Sequence, residues 1–504
     1  MLPIVEQALP HAGRIAIADG QGEHTYDELL AASARVASGL LGRERPGSQA
    51  LGPRSDLAGA RVALLVPSGF EYAAVQWGIW RAGGIAVPLC VSHPLPEIEH
   101  VLRDAGAEAL IVHPLFEREL TPLCGRDDLR CLRTEQLLGT EAAVLPCVRT
   151  ERCAMILYTS GTTSLPKGVV TTHAGLAAQI RTLVEAWEWS PEDRILHVLP
   201  LHHTHGIVNA LLCALWAGAT CEMLAEFDAE RVWERLGRGG ITLFMAVPTI
   251  YLRLIAAWEA APAEERRKRS EACRGVRLMV SGSAALPADV FERWRAISGH
   301  ALLERYGMTE IGMALSNPLR GERRPGFVGT PLPGVEVRLV DDAGRPVHAE
   351  GVPGTIEVRG PMVFREYWGR PEATRESFHD GWFRTGDEAV VEGGYYRILG
   401  RTSVDIIKSG GYKVSALEVE SVLRTHPEIA DCAVVGVSDP EWGERVCVAA
   451  VLRPGGTLEL PELRAWAKMR LAVYKVPSRL LVLADLPRNP MGKVTKPEVK
   501  RLFA

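Results

Sequence analysis

At 504 residues the chain is too long for a single hydrophobic core, so two or more domains are expected. Hydrophobic residues at 47% and charged residues at 23% exclude disorder as the main state. A formal net charge of −4 excludes attraction to nucleic acid through a global basic field, while leaving room for a local anion pocket.

The opening segment MLPIVEQALPHAGRIAIADG carries acidic residues and an early proline and lacks a basic flank followed by an apolar core, so it does not read as a signal or transit peptide. The longest apolar stretch, residues 206–219, is too short to span a bilayer and is polar at Asn209. A cytoplasmic protein with no membrane partner is expected. The ten cysteines are scattered without a C-x-x-C pair, which argues against a zinc site or a disulfide framework and for free thiols in a reducing compartment.

From Arg61 the segments RVALLVP, FEYAAVQWGIWRAGG, IAVPL, PLPEIEHVLRDAGA and ALIVH alternate short apolar runs with helical patterns, which predicts a parallel sheet covered on both faces. The same grammar returns in RILHVLP, the helix-like GIVNALLCALWAGA, ATCEML, a helix after Asp228, ITLFMAV, a helix after Pro248, and VRLMVSGS. Two doubly wound α/β units before about residue 325 follow from this. Between Gly326 and Gly400 the alternating, Gly- and Pro-punctuated VEVRLVDDAGRPV, GTIEVRG and GGYYRILG predict antiparallel hairpins and a small β-rich subdomain. From about Thr402 a third texture begins, with a helix after Ser415, strands CAVVGV and RVCVAAVL, the helix PELRAWAKMRLA and a last strand LLVLADL, enough for a compact α+β domain.

Between the two α/β units lies YTSGTTSLPKG, residues 158–168. Its glycines permit close backbone approach, its hydroxyls and amides donate to oxyanions, and Lys167 adds a positive charge, which is the chemistry of a phosphate cradle. It is not a Walker loop: the spacing from Gly161 to Lys167 is one residue too long, and no Ser or Thr follows the lysine.

This loop, with LPLHHTHG (199–206), ERYGMTE (304–310), WFRTGD (382–387), GRTSVDIIKSGGYKVSALEVE (400–420) and PRNPMGK (487–493), resembles the adenylate-forming superfamily of acyl-CoA synthetases, from TYDEL at Thr25 to the end. The resemblance implies an ATP-dependent, AMP-forming ligase with Mg²⁺ and with CoA as co-substrate. It implies an N-terminal adenylation domain over residues 1–400 and a mobile C-terminal domain over residues 401–504. Making an acyl-adenylate crowds negative charge at the α-phosphate, so cations and oriented donors must converge there. Thr159, Ser160, Gly161, Thr162, Thr163 and Lys167 are expected to hold phosphates, Glu310 to bind Mg²⁺, and Lys493, by resemblance, to serve as the adenylation lysine. Tyr306 has the flat face for adenine, Thr309 a hydroxyl for the phosphate or ribose side, and Gly282, Ser283 and Ala284 the close backbone approach an adenine edge uses. Glu304, Gly307 and Met308 are counted with that motif. By resemblance Asp387 accepts from the ribose, with Arg401 beside it.

The thioester half-reaction implies a hinge just after Arg401. Here the chain departs from the family pattern by one extra residue before Gly410 and Gly411, which leaves the pivot open among Ser403, Val404 and Asp405. Gly410, Gly411 and Lys413 are on the loop expected to meet CoA. The acyl group is indicated by Arg305, because a guanidinium has no use beside a hydrocarbon tail, whereas paired with a second carboxylate it is a specificity device. With MAVPTIY, SGSAALP, GTPLPGV and FREYW it resembles the malonyl-CoA synthetases, which implies malonate, with methylmalonate as a second substrate. His203 falls where relatives place an active-site histidine, His205 is a second donor to the distal carboxyl, and His202 is expected to be packed. Rival readings are a salt bridge from Arg305 to Glu304 or Asp387, another small or medium-chain acid, and loading of a phosphopantetheine carrier.

Overall fold

The protein is described from a computed structural model, which covers residues 1–42, 56–124, 129–159, 166–410, 412–488 and 494–503. A seven-stranded sheet runs in spatial order Glu366–Tyr367, Lys167–Thr172, Cys153–Thr159, Ile85–Pro88, Arg61–Leu65, Ala109–Val112 and Arg130–Arg133. A nine-stranded sheet runs Thr330–Pro331, Gly312–Ser316, Leu303–Met308, Leu278–Ser281, Leu243–Ala246, Arg194–His197, Thr220–Met223, Ile15–Asp19 and Gly22–Thr25. The central strands of both are parallel, and Ile85–Pro88, Ala109–Val112, Leu243–Ala246 and Leu278–Ser281 are buried at every position, as unbroken apolar runs require. The first strand crosses to the edge of the second sheet and pairs with Thr220–Met223, which ties the N-terminus to the later α/β unit.

The expected helices form at Phe70–Arg81, Leu95–Ala105, Ala229–Gly237 and Pro248–Ala260. Asp228 caps its helix by accepting from the Arg231 N–H. GIVNALLCALWAGA is not a plain α-helix: His205–Leu212 is π-helical and Cys213–Ala217 completes it as an α-helix. The β-rich part is a sheet of Glu336–Val340, Gly354–Arg359, Trp382–Glu392 and Phe378–His379, with Tyr395–Arg401 also paired to Trp382–Glu392. The last part is a sheet of Tyr412–Ser415, Ile406–Ser409, Gly443–Leu452 and Ile429–Asp439, with Arg479–Leu483 parallel to Gly443–Leu452. Ser415 caps the helix Ala416–Leu423.

One expectation is corrected. Cys124 and Cys131 are disulfide-bonded, because the end of the helix Glu117–Cys124 and the start of the strand Arg130–Arg133 bring their Cα atoms to 5.3 Å. The other eight cysteines are free. Among the described residues no helix is long and apolar enough to cross a membrane.

Candidate active site

The strand Leu303–Met308 runs parallel to Leu278–Ser281 with Ser281 opposite Glu304, then reverses through residues 309–311 into the antiparallel strand Gly312–Ser316. This geometry sets ERYGMTE against the end of SGSAALP. A Cβ on Gly282 would lie 2.5 Å from the guanidinium carbon of Arg305, so only glycine lets the arginine pass. Ser283, which follows, takes φ +68°, a conformation unfavourable for serine and of the kind concentrated at functional sites.

Among the residues expected to meet the nucleoside, the Tyr306 hydroxyl donates to Asp387 Oδ2 at 2.6 Å, and Arg401 Nε donates to Asp387 Oδ1 at 3.0 Å. Asp387 and Arg401 are cross-strand partners, so WFRTGD and GRTS meet through sheet register. Arg401 is held above its ordinary range despite burial, because the Asp387 carboxylate faces it.

In the segment expected to hold phosphates, Thr159 is paired with Lys167 across antiparallel strands. The segment therefore links two strands, unlike a Walker loop, which leads into a helix. Ser160, Gly161, Thr162 and Thr163 lie outside the described residues. The Lys167 ammonium sits 5.0 Å from the ring centroid of Tyr367, whose hydroxyl donates to Glu310 Oε1 at 2.9 Å. Glu310 is buried, and burial pushes its carboxyl up, opposed mainly by the Tyr367 hydrogen bond. A single buried carboxylate whose hydrogen-bonded tyrosine also carries Lys167 against its ring fits Mg²⁺, which takes one or two carboxylates together with substrate phosphates and water. Among the described residues no cluster of three or more His, Cys, Asp or Glu forms a cage for a metal.

On the acyl side, Arg305 is 4% exposed. Its Nη2 donates to Ser283 Oγ at 3.3 Å, its Nε has no hydrogen-bond partner, and no described carboxylate comes within ion-pair distance. Burial alone brings it down to about 9. The rival salt bridges do not form: Glu304 accepts from the Gly326 N–H at 3.1 Å, and Asp387 is engaged by Tyr306 and Arg401. Burial pushes the Glu304 carboxyl up to about 8, the Gly326 N–H opposing. Ser283 Oγ also meets His205 Nδ1 at 3.3 Å, so Arg305, Ser283 and His205 form one polar chain. Met245, in MAVPTIY, is buried in the sheet opposite Val280.

His203 lies against His202 with ring centroids 4.1 Å apart and the rings tilted by 49°, and His202 meets His93 at 5.9 Å, also tilted. The packed role expected for His202 thus has a further consequence. Burial works against a thiolate at Cys90, but hydrogen bonds with His202 and then His93 outweigh it and bring the thiol down to about 5. Iodoacetamide at pH 6 is therefore expected to label Cys90 ahead of Cys213, Cys221 and Cys432, whose thiols burial pushes up. Peptide mass spectrometry reads this; no labelling of Cys90 below pH 8 would count against it.

At the C-terminal side, Lys413 bridges Asp342 at 2.9 Å and the buried Glu388 at 3.0 Å, and Gly410 takes φ +56°. Gly411 and Lys493 lie outside the described residues. In the linker, the Arg401 N–H donates to Asp405 Oδ2 at 3.1 Å, and Lys496 Nζ pairs with Asp405 at 2.6 Å and Glu420 at 2.8 Å. Sequence reasoning did not single out Tyr367, Cys90, His93 or Lys496. Tyr367 stands in FREYW, but its contact with Glu310 depends on pairing between strands distant in the chain.

A lysine and a buried carboxylate linked through Tyr367, and a Tyr–Asp–Arg set whose charges bear on that carboxylate, are brought together by these strands, and the chain belongs to the AMP-binding enzyme family. That family's model matches residues 4–368, and the model of the AMP-binding enzyme C-terminal domain matches residues 418–493. The chain is 47% identical to "Malonate--CoA ligase ACSF3, mitochondrial" of Mus musculus, over 100% of this chain and 91% of that protein. It is 41% identical to "Malonate--CoA ligase" of Arabidopsis thaliana, over 97% and 86%. The ATP-bound crystal structure of MatB from Rhodopseudomonas palustris superposes with a TM-score of 0.89 at 34% identity, over 100% of this chain and 99% of that one. The chain is an AMP-forming acid–thiol ligase of the acyl-CoA synthetase type.

Proposed function

We propose that this ligase joins malonate to CoA, with methylmalonate as a second substrate. The observation that carries the reading is Arg305, a buried guanidinium with no carboxylate partner among the described residues, linked through Ser283 to His205. A buried cation without a counter-ion is costly, and the second carboxylate of malonate would supply one. The two relatives named malonate–CoA ligases support it.

In the first half-reaction a malonate carboxylate oxygen attacks the α-phosphorus of ATP, forming the C–O–P anhydride and expelling pyrophosphate. Arg305, with His205 and His203, would hold the malonate so that only one carboxylate faces the phosphate. Lys167 and residues 159–163 would hold the β- and γ-phosphates, Lys493 the α-phosphate side, and Tyr306, Asp387, Arg401 and Gly282–Ala284 the nucleoside. Glu310 would hold Mg²⁺, which when bound offsets phosphate charge. In the second half-reaction the CoA sulfur, its proton lost, attacks the carbonyl carbon and AMP leaves. Residues 1–400 and 401–504 are read as two units that reorient between the steps, about a pivot in 403–405, with Gly410, Gly411 and Lys413 toward CoA. A cytoplasmic location was expected from the sequence, whereas the mouse relative is named mitochondrial; cell fractionation decides between them.

The test is pyrophosphate release with ATP and Mg²⁺ against acetate, malonate, methylmalonate, succinate, octanoate and benzoate, repeated with CoA. Release with malonate and methylmalonate, and malonyl-thioester once CoA is added, is the expected result. Release with octanoate or benzoate instead would keep the chemistry and discard the dicarboxylate. Acyl-adenylate passed to a phosphopantetheine carrier but not to CoA would point to carrier loading.

A further inference from the structure

We propose that Tyr367 is a positioning residue that sets the two charged groups at the phosphate end of the site, Glu310 through its hydroxyl and Lys167 across its ring. This rests on the reading of Glu310 as the Mg²⁺ carboxylate and Lys167 as a phosphate cation. The strand Glu366–Tyr367 pairs antiparallel with Lys167–Thr172, Tyr367 opposite Val169, while the Arg365 and Trp368 N–H groups donate to the Val170 and Gly168 carbonyls. The lysine's own strand thereby carries the tyrosine. The same segment holds Glu310 twice: the Phe364 N–H donates to the Glu310 carbonyl at 2.7 Å, and the Tyr367 hydroxyl donates to Oε1 at 2.9 Å. Tyr367 is itself fixed, with its N–H donating to Thr374 Oγ1 at 3.0 Å and its ring meeting Phe364 at 4.7 Å. It is 8% exposed, so its geometry is imposed by packing.

Two consequences follow for a divalent cation. The Tyr367 hydrogen bond fixes Glu310 Oε1 while the Phe364 N–H holds the backbone of the same residue, so the carboxylate is presented in one orientation. Removing the hydroxyl leaves that carboxylate free to turn and therefore weakens metal binding. The ring face, in contrast, acts on Lys167, and a cation over a tyrosine face is held in place whether or not metal is present.

The experiment compares Tyr367→Phe and Tyr367→Leu with the unaltered full chain. It measures ATP binding by calorimetry across a Mg²⁺ titration, with metal-free AMP binding as a readout of the nucleoside site. Loss of a group that orients a metal ligand typically costs about 10- to 100-fold in metal affinity. Tyr367→Phe is expected to raise the half-saturating Mg²⁺ concentration about tenfold, with AMP binding unchanged. Tyr367→Leu is expected to show the same metal defect and, in addition, weaker metal-free ATP binding, because Lys167 loses its platform. An unchanged Mg²⁺ midpoint in Tyr367→Phe, or an equal loss of metal-free AMP binding, overturns the proposal. Absence of Mg²⁺-dependent ATP binding in the unaltered protein overturns the reading of the site, and the proposal with it.

Discussion

Arg305→Leu is expected to lower kcat/KM for malonate about a thousandfold and, at the same time, to raise the melting temperature. The first effect is the lost charge pair with the distal carboxylate. At about 4 Å and an effective dielectric near 20 such a pair is worth roughly 4 kcal/mol, and each 1.36 kcal/mol is about tenfold in rate. The second effect has the opposite sign because no described carboxylate offsets this cation in the empty protein. Its folded pKa is depressed to about 9, below its unfolded value, so the burial penalty is fully present at neutral pH and is relieved only as pH rises through 9. Leucine carries no such penalty, and replacing buried charge by apolar groups is often neutral or stabilising, by about 1–4 kcal/mol. Steady-state kinetics and calorimetric melting at pH 7.5 measure both, with AMP retention confirming the nucleoside site. A fall in melting temperature would make Arg305 a structural residue, and unchanged malonate kinetics would remove the dicarboxylate reading.

Lys493→Ala is expected to slow pyrophosphate release with malonate by about two to three orders of magnitude, the usual cost of removing one oriented donor from developing charge. Thioester formation from supplied malonyl-adenylate should remain within a few-fold of the unaltered enzyme, because the lysine would act in only one arrangement of the two units. Arg488 and Val494, which flank residues 489–493, pair with each other, and Arg488 is anchored to Asp431 at 2.6 Å. The substitution therefore leaves the attachment of the segment in place. Rapid-quench measurement of each half-reaction separates the outcomes: equal loss in both would discard alternation between two arrangements for this chain.

Strands were the most legible part of the sequence because parallel sheets bury both faces, so RVALL and LMVS read as unbroken apolar runs and folded as read. The helix after LPLHHTHG was legible as an element but not as a π-helix, since a segment buried at every position carries no polar stripe to reveal its winding. Asp387 and Arg401 were paired by motif resemblance, and sheet register supplies the physical reason they meet. Arg305 was legible as an unusual residue, but its freedom from Glu304 could not be read, because that depends on where residues 317–327 place the Gly326 N–H. Tyr367 and the Cys124–Cys131 bond escaped for a related reason. Each depends on how separate elements are set beside one another, which composition and spacing do not encode.

The π-helix at His205–Leu212 bears on how this pocket could diverge. A π-turn is commonly an α-helix with one residue inserted, and such turns are frequent at functional sites. Deleting one residue between Gly206 and Leu212 would let the backbone relax to α-helical winding while the turns on either side keep their places, and would change which side chains of the segment face the pocket, with little change in hydrophobic content. Change in acyl preference along this lineage is accordingly open to insertion and deletion as well as to substitution, and an alignment that scores only exchanged residues would miss it.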